Sequence, residues 1–351
     1  MRPGTRIARL QRGFGIVEMM VAAVVGMLAV AAITAVFWSS EGQKRTITGA
    51  ADASENGLIA LATMERDLRM AGLGLMEIGC TVVNGFNANA GTTLTFAPAP
   101  ATITRDVPSA GSDTVEVIYS AAAFANLPTQ LASPMGAAGD PLQLMNGQGF
   151  AQGHVILLSE GSKPCSLVQA SADATKVGMY WNVVHNPGAA FPFNNPPAAS
   201  FPPSGYATGA IVVNMGTMAR RQYFVDSGRL MQQDMNQAVG AGPPVNPMPV
   251  ADGIIAIRAE YGRDTDGDGY INVFDATAPT SVRDVIAVKL AVVARSGQME
   301  KTAVSPATLT LWNGGTVQNG GAITLDATAQ QYRYKVYQTT IPLRNVIWGD
   351  N

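Results

Sequence analysis

The sequence predicts an α+β protein: one long N-terminal helix, half membrane-spanning and half amphipathic, then an antiparallel β-rich globular head with long loops. Three observations lead there. An apolar run from Phe14 to Trp38 continues without a loop into a helical stripe that reaches Leu68. Beyond Gly74 the hydrophobic period falls from three or four residues to two. The chain also holds 37 Gly and 21 Pro among 351 residues, with 14% charged, which favours turns and short strands over a helical bundle.

The N-terminal elements follow in order. Residues 1 to 13 carry Arg2, Arg6, Arg9 and Arg12 and no acid, a basic leader that stays cytoplasmic by the positive-inside rule. Phe14 to Trp38 is about 25 residues with one ionisable side chain, Glu18, which is spanning length for a helix. The expected organisation is therefore leader 1–13, transmembrane half 14–38, amphipathic half 39–74 and extracytoplasmic head 75–351. An ordinary secretory signal competes with this reading, because Ala29-Val30-Ala31 offers a cleavage site. Two features oppose it. Glu18 near the start of the run costs about 3 kcal/mol at a bilayer centre and so needs compensation. Cutting after Ala31 would also discard half of one continuous helix, since Leu58, Leu61, Met64 and Leu68 extend its stripe.

Glu65, Arg66, Asp67 and Arg69 are assigned to the polar face of this helix, which ends at Gly72 or Gly74. Gly26, Gly42, Gly49 and Gly57 each weaken a helix by about 1 kcal/mol relative to Ala. Local bending and close helix packing both explain them.

Lys and Arg total 23 against 25 Asp and Glu, and loss of the four leader arginines makes the remainder more acidic still. Direct nucleic-acid binding is not expected of such a balance. Cys80 and Cys165 both fall on the side of the membrane where a disulfide persists, and closing a loop of that length contributes about 4 kcal/mol in the chain-entropy model. Two buried free thiols are the alternative.

In the head, strand-like runs occur at Thr93 to Phe96, Thr114 to Tyr119, His154 to Leu158 and Ile211 to Val213. Arg221 to Val225 and Arg229 to Gln232 flank Asp226-Ser227-Gly228 as a hairpin, with Gly228 supplying the positive φ. Ile254 to Tyr261, Val285 to Val293 and Gln331 to Ile341 complete one antiparallel sheet. The stretches Asn186 to Gly209 and Val239 to Pro249 read as surface loops, because proline removes ladder donors. Phe191, Phe193, Phe201 and Tyr206 in the first are assigned either to a binding surface or to aromatic plugs over the sheet.

The strongest chemical motif runs from Asp264 to Asp275. Calcium takes six to eight oxygens, and a twelve-residue loop supplies them from positions 1, 3, 5, 7, 9 and 12 with glycine at 6. Asp264, Asp266 and Asp268 offer carboxylates, Tyr270 its carbonyl, Asn272 a side chain or a bridging water, and Asp275 the closing carboxylate. One bound Ca2+ is expected, within a β connection. A solvated acidic turn is the alternative.

The segment Gly13-Phe14-Gly15-Ile16-Val17-Glu18 resembles the type III signal of type IV pilins and pseudopilins, in which a glycine precedes the cut, an aromatic becomes the new N-terminus and glutamate stands fifth. The resemblance implies that a prepilin peptidase cuts after Gly13, that Phe14 becomes N-methylated, and that Glu18 serves assembly. Arg69-Met70-Ala71-Gly72, the run from Tyr261 to Gly269, and Thr340 to Asn345 are similar to the corresponding segments of PilW-type minor pilins. That likeness implies a structural subunit which helps initiate or cap a type IV pilus, in biogenesis, twitching motility, adhesion or DNA uptake. Its implied partners are other minor and major pilins through the N-terminal helix, the prepilin peptidase and the inner-membrane assembly platform. Its implied location is the inner membrane with the head in the periplasm, then the pilus and cell surface. A type II secretion pseudopilin and a tip-located adhesin are the alternatives. No enzyme is expected: only His154 and His185 are present, and no nucleophile arrangement accompanies them.

Overall fold

A computed structural model describes residues 15–87, 91–106, 111–122, 128–188, 190–194, 201–236, 247–312, 316 and 320–348. The leader, with Gly13 and Phe14, lies outside the described residues. Helix α1 spans Ile16–Met70 as one uninterrupted element. By contacts the chain divides between Ala51 and Asp52, so the apolar half of α1 belongs to one unit and its C-terminal turns to the head. In the first unit Ile16 to Trp38 is exposed and, apart from Glu18, without charge, long and apolar enough to cross a bilayer.

The head strands are β1 (Val83–Asn87), β2 (Thr92–Phe96), β3 (Ala101–Thr104), β4 (Thr114–Tyr119), β5 (Thr129–Gln130), β6 (Leu142–Leu144) and β7 (Val155–Ser159). They continue as β8 (Cys165–Gln169), β9 (Thr175–Val177), β10 (Tyr180–Val183), β11 (Ile211–Gly216), β12 (Ala219–Asp226), β13 (Arg229–Asp234) and β14 (Met248–Asp252). The last are β15 (Ile254–Arg263), β16 (Val273–Asp275), β17 (Val285–Arg295), β18 (Thr308–Thr310), β19 (Ala322–Thr324) and β20 (Tyr334–Pro342), before the short helix α2 (Arg344–Trp348).

These strands form five sheets rather than the single one expected, in the orders β2-β1-β8-β7-β11-β5, β6-β10-β9, β14-β13-β12-β4-β3, β16-β15-β17-β20 and β18-β19. Among the described residues, pairing is antiparallel except between β1 and β8. Burial explains the layering. Leu157 of β7 faces the main core and Ile156 a second one; Ile257 of β15 faces the main core and Ala256 a third. Sheets covered on both faces read as continuous apolar runs, which is why β15 and β17 show so little alternation.

The C-terminal turns of α1 seal the main core. Ala60, Met64, Leu68 and Ala71 are fully buried, and each large side chain among them contributes about 1.5–3 kcal/mol as an upper estimate. At Gly57 the helix comes so close to β20 that an added Cβ would lie 2.4 Å from the Tyr337 ring. Close approach thus explains Gly57, whereas Gly26 and Gly42 meet nothing within 4 Å inside the chain.

Several element boundaries differ from expectation. The strand placed at His154 begins at Val155, and the one placed at Gln331 begins at Tyr334, after a 3-10 turn at Ala329–Gln331. The loop expected up to Pro249 ends earlier: Met248 and Pro249 open β14, an edge strand where a missing N–H is tolerated, while residues 237–246 lie outside the described set. In the β12–β13 turn Ser227 shares the positive φ (50°) with Gly228 (74°), as a two-residue hairpin of the primed kind requires. In the Asn186 to Gly209 stretch, Phe193, Phe201 and Tyr206 are buried, and the Tyr206 hydroxyl donates to Pro164 O at 2.9 Å. They are plugs, not a binding surface.

Candidate functional site

The site of interest begins at the helix. Gly15 is its N-terminal cap, and the Gly15 N–H donates to Glu18 Oε2 at 3.2 Å. A glutamate three residues into a helix reaches back to the cap in this way, offsetting one orphan donor and the positive end of the helix dipole. The carboxylate of the spanning segment therefore sits where a cation placed at the helix start would meet it.

The other end of α1 holds a feature that sequence reasoning missed. Asp67, assigned above to the polar face, is 1% exposed. Its carboxylate accepts from Arg221 Nη1 at 3.0 and 2.8 Å, from the Tyr119 hydroxyl at 3.2 Å and from the Tyr223 hydroxyl at 2.7 Å. Tyr119 lies on β4, Arg221 and Tyr223 on β12, so one side chain ties the helix to two strands of the head. Burial, followed by the Asp67 charge, pushes the Tyr119 hydroxyl up to about 12. Burial and the same carboxylate raise Tyr223 further. The signal was available: Asp67 lies three residues after Met64 and one before Leu68, inside the buried stripe. Arg66 and Arg69 do stand on an exposed face, Arg69 pairing with Glu65.

A disulfide joins Cys80 to Cys165, with Cα atoms 5.8 Å apart, so the free-thiol alternative is set aside. It ties the chain just beyond the helix to β8, next to the parallel pairing of Val83 with Cys165.

The acidic loop joins β15 to β16. The carboxylates of Asp264, Asp266 and Asp268 gather with ligand atoms all within 4.8 Å of one another. Gly267 and Gly269 both adopt positive φ (79° and 85°), the second at the sixth position where the loop template demands a sharp turn. Their N–H groups donate to the two oxygens of Asp264 at 2.7 Å each. Desolvation opposes ionisation of Asp264, but these donations and a hydrogen bond with Asp266 hold its carboxyl below the usual range. Of the remaining expected ligands, Asn272 and Asp275 are engaged elsewhere. Tyr270 points outward, 76% exposed, and its N–H donates to Asp268 Oδ1. Asn272 Oδ1 accepts from the Thr265 N–H and hydroxyl, each at 3.1 Å. Asp275 lies outside the three-acid group and is held by Arg263 Nη2 at 2.5 Å. The donor set of Asp264, Asp266 and Asp268 is all oxygen and fits a hard cation.

Beside this loop a cavity of about 350 Å³ is lined by Arg105, Glu260, Phe274, Asp275, Ala276 and Thr277. Burial raises Glu260 despite Lys289 Nζ at 3.4 Å. Behind it, Asp113 receives Arg258 Nη1 and the Ala259 N–H at 3.0 Å each, which caps the edge of β15 beyond the end of β16. His185 is structural: burial keeps it neutral, and its Nε2–H donates to Asp140 O at 2.7 Å.

A long apolar N-terminal helix followed by an antiparallel β-rich head defines the architecture. Further along the chain, residues 218–345 match the family model described as PilW, Type IV Pilus-assembly protein W. A type IV-like pilin from Thermus thermophilus aligns at 11% identity with a TM-score of 0.36, covering 84% of this chain and 96% of that one. No curated protein matches the chain.

Proposed function

We propose that this chain is a minor pilin, a non-enzymatic subunit that helps initiate or cap a type IV pilus and joins the other pilins through its N-terminal helix. The observation that carries the reading is α1, whose apolar, spanning half holds a single acid at its very start. A prepilin peptidase cuts between Gly13 and Phe14, and the freed α-ammonium of one subunit pairs with Glu18 of its neighbour. A buried carboxylate is tolerated only with such a partner. The pairing fixes the register of each incoming helix while the apolar faces pack together. Glu18→Ala is expected to leave membrane insertion unchanged and to abolish recovery of the protein in sheared fibres; wild-type recovery would remove the role. N-terminal sequencing of the mature chain should start at Phe14. Scoring piliation and protein secretion separately in a deletion strain distinguishes a pilus subunit from a secretion pseudopilin.

The head binds one calcium ion at Asp264, Asp266 and Asp268, with the Tyr270 carbonyl as a further oxygen donor. Support comes from the full loop pattern, the convergence of three carboxylates and the left-handed glycine at position six. The ion holds the β15–β16 connection in place. Titration calorimetry should show calcium-dependent heat for the wild type and none for Asp266→Ala; a wild type without heat or stabilisation disposes of the ion.

A further inference from the structure

Between β6 and β7 the chain carries an Asn-Gly pair whose surroundings favour a specific covalent change. Met145 N–H donates to Gln130 O at 2.9 Å, Asn146 N–H to Thr129 Oγ1 at 3.0 Å, and Gln148 N–H to Asn146 Oδ1 at 3.0 Å. In this run, among the described residues, the Gly147 N–H is given to no acceptor. Asn146 is exposed, so water and base reach it. The hydrogen bond from Gln148 N–H to Asn146 Oδ1 closes a side-chain turn that spans residue 147. That same hydrogen bond withdraws electron density from the carbonyl carbon and stabilises negative charge developing on its oxygen. Residue 147 is also fixed as glycine, because a Cβ there would lie 2.6 Å from Trp181 Cβ. Gly147 has no side chain of its own, and the residue is buried against Trp181.

We propose that Asn146 is a deamidation site of the folded protein. The Gly147 nitrogen attacks Cγ of Asn146 and its proton leaves with the side-chain nitrogen as ammonia, forming a cyclic imide. Water then opens the imide at either carbonyl, giving aspartate or isoaspartate. Nothing is oxidised or reduced, and water is the only co-reactant. The product places a carboxylate at the end of β6, beside an outward sheet face where Gln143, Thr175, Val177 and Tyr180 carry no charge. Older material thus bears a more acidic lobe.

A second Asn-Gly pair supplies an internal control. Asn84-Gly85 lies within β1, where Gly85 is paired to Leu94 of β2 and the Asn84 side chain accepts from the Thr95 hydroxyl. Extended, ladder-bonded backbone holds its nitrogen away from the side-chain carbonyl. Asn56-Gly57 lies within helix α1, where helical backbone likewise keeps the nitrogen from the side-chain carbonyl, and the pairs at 313–314 and 319–320 include residues outside the described set.

The test uses the full-length protein in detergent, incubated folded and, in parallel, unfolded in urea at mildly alkaline pH. Peptide mapping by mass spectrometry, with enzymatic isoaspartate labelling, reads each site. In the folded protein Asn146 is expected to convert while Asn84 stays an amide; in urea both convert. Asn146→Gln should abolish the signal from that peptide. An Asn146 that stays intact in the folded protein while converting in urea overturns the proposal, as does equal conversion of Asn84 and Asn146 in the folded state.

Discussion

Replacing Asp67 with alanine leaves the Arg221 guanidinium and two buried phenol hydroxyls without their shared acceptor. Removing one partner of a buried ion pair costs about 3–5 kcal/mol, and the lower end applies because the Arg221 side chain is 31% exposed and recovers some hydration. For a head of about 300 residues, a loss of about 3 kcal/mol lowers the melting temperature by about 5 °C. Differential scanning calorimetry of the full chain in detergent measures this directly. Asp67→Asn provides a second readout, because it keeps the shape and removes the charge. In a folded Asp67→Asn protein, ultraviolet titration should show Tyr119 and Tyr223 ionising at lower pH than in the wild type, while remaining above the ordinary tyrosine value because burial persists. An Asp67→Ala protein melting within about 1 °C of the wild type would refute the reasoning that one carboxylate ties helix to head.

Two further outcomes are expected. Gly57→Ala gains about 1 kcal/mol of helix propensity but forces a methyl into the Tyr337 ring, whose hydroxyl is pinned to Ser54 O at 3.2 Å. Overpacking of about 1–3 kcal/mol wins, so the variant should unfold at lower denaturant than the wild type, and a stabilised variant contradicts the close contact. Alkaline stability follows from Tyr119 and Tyr206, both raised to about 12, and from Tyr223, raised further. Folded values above the unfolded one mean that this stability is complete below pH about 10 and is lost as the pH climbs towards 12. Denaturant midpoints should therefore be flat from neutrality to about pH 9 and then decline; a midpoint rising above pH 10 reverses the sign of the argument.

The helix and the strands β4, β12, β13, β15 and β17 were legible because each is a long local pattern. Pairs such as Leu157 with Leu167, or the parallel match of Val83 with Cys165, depend on neighbours far away along the chain and leave no local period. The same limit hid the Asp67 cluster: a lone acid on a helix looks solvated until Tyr119, Arg221 and Tyr223 arrive from strands 52, 154 and 156 residues onward. The acidic loop was readable in its three aspartates, since they are adjacent in sequence. Asp275 was not, because Arg263, its cross-strand neighbour but one, holds the carboxylate only once β15 and β16 are paired.

β4 and β12 are direct neighbours in register although Tyr119 and Ala219 stand a hundred positions apart, and Ala121 N–H donates to Met215 O at 3.1 Å where the intervening chain departs and returns. Leu157 and Cys165 tie the excursion to the main core and to Cys80, so such a closed doorway admits added length at its exposed turns, where lengthening a loop costs only slowly more entropy. A foreign domain whose own termini lie side by side, spliced at that doorway, would be displayed by the same carrier.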